Sequence, residues 1–247
     1  MASELERKEI LITAIADLLD GIRHVAVGAS SPIPAAGAML LRARNEAAGK
    51  PPVRISVLGS QKHNFFTNGA VEIFDCAAQG RIDAFFLGGG QIDGAGNINL
   101  VGIGEYPRTD VRWPGSFGSA YLYHLVPRVI LFREEHSSRV FVPKVDFVSA
   151  KATTPEVARR GGPHALLTNM ALFDFDREAG CFRLRSVHPG FSSADIRANT
   201  GFDYEQPATV PTTPGPDAAT QSLIRGRILD ELAESYPAFA RTMKQAA

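Results

Sequence analysis

Apolar positions Leu5, Ile10, Ile12, Ile15, Ala16 and Leu19 recur at helical spacing, which predicts an amphipathic helix over 3–19, ended by Gly21. The short run 24–27 then reads as a strand, and Gly28-Ala29-Ser30-Ser31-Pro32 as a turn that opens a helix running to Ala48. Residues 53–58 alternate like a second strand, 71–79 have helical character up to Gly80, and the wholly apolar 84–87 has the look of a strand buried on both faces. This strand–helix–strand–helix–strand order predicts an open, mostly parallel α/β sheet covered by helices. After Gly104 the pattern changes to strands over 129–132, 140–142, 172–175 and 182–187, with Ser192 or Ser193 capping a short helix through Asn199. The stretch 207–216 contains four prolines and reads as an extended connector. A last amphipathic helix covers 217–236, with Leu223, Ile224, Ile228, Leu229 and Leu232 on one face. Residues 1–247 are therefore taken as one domain, of which 207–247 form a C-terminal connector and helix.

Composition narrows the function classes. Lys plus Arg equals Asp plus Glu at 26 each, so no net charge draws the chain to nucleic acid or to an anionic membrane. No apolar run approaches the roughly 18 residues of a membrane helix, and the charged start MASELERKEIL does not read as a secretory signal. Cys76 and Cys181 are far apart and fall in apolar patterns, which fits free thiols and a cytoplasmic protein. The six histidines show no metal-ligand spacing, so no metal is expected.

The densest chemical signal is Gly88-Gly89-Gly90-Gln91-Ile92-Asp93, continued by Gly96-Asn97-Ile98-Asn99, directly after a buried strand. Loops at the carboxyl ends of strands form the ligand crevice of open α/β sheets. Three successive glycines permit close approach of a ligand or a backbone, and positive φ. Gln91 and Asn97 add amide donors and acceptors, whereas Asp93-Gly94 and Gly96-Asn97 read as tight turns. The spacing is neither a dinucleotide fingerprint nor a P-loop. A second loop, Gly115-Ser116-Phe117-Gly118-Ser119 after Pro114, has the small residues that can present backbone N–H groups to an oxyanion. Taken alone, it reads better as a simple glycine-rich connector.

Four segments in the same order resemble the class I coenzyme A-transferase family, in particular β-type subunits such as those of glutaconate CoA-transferases. They are 27–32, 88–99, 114–119 and 188–202, the last holding His188-Pro189-Gly190 and Asn199-Thr200-Gly201-Phe202. The resemblance implies an open α/β sheet, a coenzyme A thioester as substrate with no resident cofactor, and an active site completed by a paralogous α-type subunit. It also implies that Gly88, Gly89, Gly90, Gln91, Asn97, Gly115, Ser116, Phe117, Gly118 and Ser119 bind the acyl-CoA. Family transferases carry a nucleophilic glutamate, which becomes a glutamyl-CoA thioester, in a Glu-x-Gly motif at the end of the second strand. Here that stretch is Val57-Leu58-Gly59-Ser60-Gln61-Lys62-His63, with no carboxylate. Some relatives of this fold also lack the glutamate and hydrolyse a carbon–carbon bond of a cyclic CoA thioester in steroid-ring breakdown. The alternatives are thus a transferase subunit, a ring-opening hydrolase subunit and a non-catalytic CoA-binding scaffold.

Ser60, Gln61 and His63 stand where the glutamate would be. They can form a nucleophile and base, bind substrate, or shape a turn. Glu72 reads as an ordinary helix residue, His124 as a packed histidine near the second loop, and His188 as a turn residue. Arg159-Arg160-Gly161-Gly162 reads as a solvated loop or a contact for a CoA phosphate.

Overall fold

A computed structural model describes residues 3–67, 69–154 and 157–246. In chain order the elements begin with α1 (Glu4–Leu18), β1 (His24–Val27), α2 (Pro32–Ala47), β2 (Arg54–Val57), α3 (Gly69–Ala78) and β3 (Ala84–Leu87). Short pieces follow: β4 (Gln91–Ile92), β5 (Ile98–Asn99), β6 (Gly102–Ile103), β7 (Val111–Arg112) and α4 (Ser119–Leu125). Then come β8 (Arg128–Arg133), β9 (Pro163–Thr168), β10 (Ala171–Asp176), β11 (Cys181–Val187) and α5 (Ser193–Asn199). The chain ends in α6 (Ala218–Leu223), a π turn (Ile224–Ile228), α7 (Leu229–Leu232) and α8 (Pro237–Gln245). The fold is α/β, with mixed, mostly parallel strands flanked by helices. No helix among the described residues is long and apolar enough to cross a membrane.

The chain divides into two compact units: 1–76 with 81–86 and 214–247, and 77–80 with 87–213. In the first, β1 pairs in parallel with both β2 and β3. Ser3 starts α1 with a capping box, its hydroxyl accepting from Glu6 N while the Glu6 carboxylate accepts from Ser3 N. Gly37 of α2 is needed there, because a Cβ would stand 2.3 Å from Ile15 Cγ2 of α1. The final helices belong to this unit, with Ile224, Ile228, Leu229 and Leu232 fully buried. The π turn sets Arg225 against the buried Glu9 and Arg227 against Glu46.

In the second unit β8 and β9 run parallel, and β10 and β11 add antiparallel. Several expectations need correction here. The strand expected over 140–142 is a single bridge from Phe141 to Ile92. Strand β9 was hidden behind Gly161-Gly162-Pro163, which reads as loop. Helix α4 grows out of the second glycine loop, where Gly118 at φ 68° starts it. The final helix predicted to 236 stops at Leu232, and Tyr236 precedes a separate helix, α8.

Candidate functional site

The glycine triplet is required by contact rather than by φ, since none of Gly88, Gly89 and Gly90 lies in the left-handed region. A Cβ on Gly89 would stand 2.6 Å from Gln91 O, and one on Gly90 would overlap the Trp113 ring at 2.2 Å. A Cβ on Gly88 would be 3.2 Å from Phe132 O. The loop is therefore a thin wall with the sole tryptophan laid on it.

The polar residues after the triplet hold this wall. Gln91 and Asn99 are partners across β4 and β5, and both are buried. Asn99 Nδ2 donates to Gln91 Oε1 at 2.8 Å and to Gly102 O at 2.7 Å. Asp146 N donates to the same Gln91 oxygen at 2.9 Å, and Gln91 Nε2 donates to Asp146 Oδ2 at 3.1 Å. Gly104 N also donates to Asp146 Oδ2, at 2.9 Å, which ties in the hairpin of β6 and β7. Both ends of the Gln91 amide are thus engaged within the protein. Asn97 is engaged too: Nδ2 donates to Asp93 Oδ2 at 3.0 Å, and Oδ1 accepts from Ala152 N at 3.3 Å. Asp93 Oδ1 takes Ala95 N and Asn97 N, so this part of the motif is turn chemistry.

A cleft of about 390 Å³ lies against this wall, lined among others by Gly88, Gly89, Gly90, Trp113, Gly115 and Arg133. The two glycine loops thus meet at one cleft within one unit. The second loop contributes only Pro114 and Gly115 to the lining. Ser116 is exposed, Phe117 is 80% exposed, Gly118 starts α4, and Ser119 Oγ donates back to Gly115 O at 3.1 Å. Sequence reasoning missed Trp113, Arg133 and Arg139. The available signals were the only tryptophan beside Pro114 and an arginine closing a predicted strand.

The loop after β2 lies in the other unit and is organised by the C-terminal segment. Ser60 Oγ donates to Glu234 Oε2 at 2.6 Å and accepts from His63 N at 2.9 Å. Gln61 N donates to Glu234 Oε1 at 2.7 Å, and Ser235 Oγ to Oε2 at 2.6 Å. The hydroxyls of Ser235 and Ser60, with backbone N–H donors, hold the Glu234 carboxyl down to about 2. The buried Ser60 proton is therefore directed at Glu234, not at an imidazole. His63 Nε2 instead stands 3.0 Å from Glu231 Oε1, without the alignment of a hydrogen bond, and Glu231 also pairs with Arg42. Tyr236 Oη donates to Gly28 O at 2.9 Å. Glu72 accepts from Thr67 N and Oγ1.

The other candidates are structural in their contacts. His124 Nε2 meets Lys151 O at 3.2 Å, and burial lowers its pKa. His188 is buried between Thr213 Oγ1 and Thr168 O. Arg159 donates to Lys151 O, and Arg160 lies beside Gly80. Among the described residues no group of three or more His, Cys, Asp or Glu is placed to hold a metal ion.

The coenzyme A transferase family profile matches residues 55–199, more than half of the chain, and this span includes the cleft. The chain belongs to that family. Among its relatives there, it is 30% identical to the B-type subunit of the 3-oxoadipate CoA-transferase from Pseudomonas knackmussii, over 62% of each chain. It is also 30% identical to the B-type subunit of the glutaconate CoA-transferase from Acidaminococcus fermentans, over 58% of this chain and 56% of that one. The chain thus spans less than two thirds of the length of these two relatives. To the cholesterol ring-cleaving hydrolase IpdB subunit of Rhodococcus jostii it is 28% identical, over 92% of this chain and 94% of that one. The crystal structure of Rhodococcus jostii IpdAB superposes with a TM-score of 0.77 at 27% identity, covering 91% of this chain and 94% of that chain.

Proposed function

We propose that the chain is the β-type subunit of a two-chain enzyme acting on an acyl-CoA thioester, with an α-type partner completing the site. The observation that carries this reading is the meeting of the two glycine loops at one cleft, lined by Gly88–Gly90 and Gly115. Such a wall lets a thioester approach backbone closely, with little side chain in the way. Gly88, Gly89, Gly90 and Gly115 are the contact residues in this reading, and Gln91 and Asn97 hold their loop. No resident cofactor is invoked. Both cysteines are free thiols, which supports the cytoplasm as the compartment.

Between transfer and hydrolysis, one feature favours hydrolysis. The stretch 57–63 contains no carboxylate, and the two that reach it are already engaged, Glu234 by hydrogen bonds from Ser60, Gln61 and Ser235 and Glu231 by Arg42 and His63. A carboxylate so held is a poor nucleophile, so a glutamyl-CoA intermediate on this chain is not expected. The near full-length likeness to the IpdB subunit supports the same reading. The test is to incubate the assembled complex with acyl-CoA, then treat it with hydroxylamine or borohydride and map this chain by mass spectrometry. No modified glutamate is expected. A hydroxamate or reduced residue on this chain would return it to covalent transfer. With a non-catalytic CoA-binding scaffold, the complex would still bind acyl-CoA, and substitutions at this cleft would leave turnover unchanged.

A further inference from the structure

Two sides of the cleft are built differently. The glycine side is fixed by backbone bonds: Gly90 N donates to Asn99 O at 2.8 Å, Ile92 N to Val140 O at 2.8 Å, and Val142 N back to Ile92 O at 3.0 Å. Another side is the hairpin of β6 and β7. It has two residue pairs, Gly102 with Arg112 and Ile103 with Val111, in a two-stranded sheet of its own. A ladder that short is not stable in isolation. Directly opposed residues of an antiparallel pair share one face, and both Ile103 and Val111 line the cleft, followed by Trp113. Arg112 instead turns back to donate to Val101 O at 2.7 Å. Residues 105–108 at the tip are exposed.

Sideways, the hairpin is held by one short stretch, Asp146-Phe147. Asp146 Oδ2 accepts from Gly104 N at 2.9 Å and from Gln91 Nε2 at 3.1 Å, so a single oxygen joins the hairpin to the glycine side. Asp146 N donates to Gln91 Oε1 at 2.9 Å, which holds the carboxyl group in place. The ring of Phe147 lies against Tyr106, with centroids 5.1 Å apart. An N–H bond to a carboxylate is among the stronger hydrogen bonds. Asp146 is nevertheless exposed, whereas Gln91 beside it is buried. The bond to Gly104 can therefore open without disturbing the core around Gln91.

We infer that the hairpin 102–112 is a flap over the cleft, latched by Asp146, and that Asp146 is the positioning residue that sets the width of the cleft. The latch stands on the contacts above; the ligand that closes the flap rests on the reading of the cleft as an acyl-CoA site. A ligand draws the flap shut only through contacts made in the closed state and lost in the open one. Ile103, Val111 and Trp113 supply them as apolar surface, Val111 being 43% exposed before anything covers it. All these residues come from this chain, so the full-length chain alone can be tested.

Two readouts are taken on it, without ligand and with pentanoyl-CoA. One is amide exchange over 102–112, where Asp110 N donates to Ile103 O at 2.8 Å. The other is acrylamide quenching of Trp113, the only tryptophan. In ligand-free Asp146→Ala the freed hairpin should fray, with exchange at Asp110 about tenfold faster, the scale of one hydrogen bond to a charged group. Trp113 should be more easily quenched there, while β8 to β11 keep their protection. Asp146→Asn keeps an oxygen for Gly104 N and should restore most of the protection. In the parent protein pentanoyl-CoA should slow exchange over 102–112, and it should bind Asp146→Ala more weakly, by at most the same factor. Parent-like exchange and quenching in Asp146→Ala would overturn the inference. So would faster exchange spread evenly over β8 to β11, since Asp146 would then be a general stabilising contact. If pentanoyl-CoA protects Gly88–Gln91 and leaves 102–112 unchanged, the flap fails and the proposed function stands. If it protects nothing, the acyl-CoA reading of the cleft fails, and the latch is decided by the ligand-free variants.

Discussion

At the end of β2 the residues Leu58-Gly59-Ser60-Gln61 contain no acid, yet Glu234 brings one there from far along the chain. Nothing local in sequence could announce this contact. Of the roles open to Ser60 and Gln61, shaping the turn is the one their hydrogen bonds follow, because Ser60 Oγ and Gln61 N both donate to one carboxylate and Ser60 N donates back to Val57 O. Glu234→Gln keeps an acceptor oxygen but removes the charge. A charge-assisted hydrogen bond is worth more than a neutral one, and partial exposure screens part of the difference, so a loss of about 1 kcal/mol in unfolding free energy is expected. The pH dependence has a definite sign. The folded pKa, about 2, lies below the usual carboxylate value, so this stability is fully present above pH 4.5 and is lost as pH falls through about 2. Chemical denaturation of both proteins between pH 7 and pH 2 should show the gap closing in that acid window. A gap that stays constant with pH would mean that the charge contributes nothing.

Elements with a clear period were legible: α1, β1, α2, β2, β3, β8, β10 and β11 fall within a residue or two of their expected bounds. Those that escaped lack a period or are made by contacts. Strand β9 begins at Pro163 after two glycines, α4 starts in a glycine loop, and Phe141 takes part in a lone bridge. The histidines that tie the second unit together were equally hidden, since their partners come from separate elements. His136 lies between Thr168 Oγ1 at the end of β9 and Thr200 Oγ1 just after α5, and His188 joins Thr168 O to Thr213 Oγ1. Burial lowers both pKa values to about 4, and each ring is therefore neutral in the folded protein at pH 7. The unfolded chain binds protons on these rings near pH 6.5 while the folded one does not, so stability must fall as pH drops from about 6.5 to about 4. The loss is at most roughly 3 kcal/mol per ring. Urea unfolding across that range should show it, and His188→Gln should flatten part of the slope although it weakens the fold at neutral pH. An unchanged slope in that variant would remove His188 from the account.

At the scale of the whole chain, the amphipathic face of the final helix was visible in sequence, but not the surface it covers. That surface lies in the first unit, which the chain begins and, after building the second, returns to finish with 214–247. The returning segment is more than a covering. Ile224, Ile228, Leu229 and Leu232 have no exposed surface, and Ala240 and Met243 are 1% exposed. Its charges reach back as well, Arg225 to the fully buried Glu9 and Glu231 to Arg42. Each of the four aliphatic side chains contributes roughly 1.5–3 kcal/mol by burial, as an upper estimate. Their sum is of the order of the 5–15 kcal/mol that holds a domain folded. Removal would also leave the Glu9 carboxylate without its partner, which adds to the loss. A chain ending at Thr213 should therefore fail to form the first unit. Its amide hydrogens in α1, α2 and β1 should exchange without protection, and it should bind a hydrophobic dye. The second unit keeps all of its own strands and should remain protected over β8 to β11. Supplying 214–247 as a separate peptide should restore protection in α2, where the π turn and α7 pack. Full protection of α1 and α2 in the truncated chain would show that the first unit is complete without its returning segment.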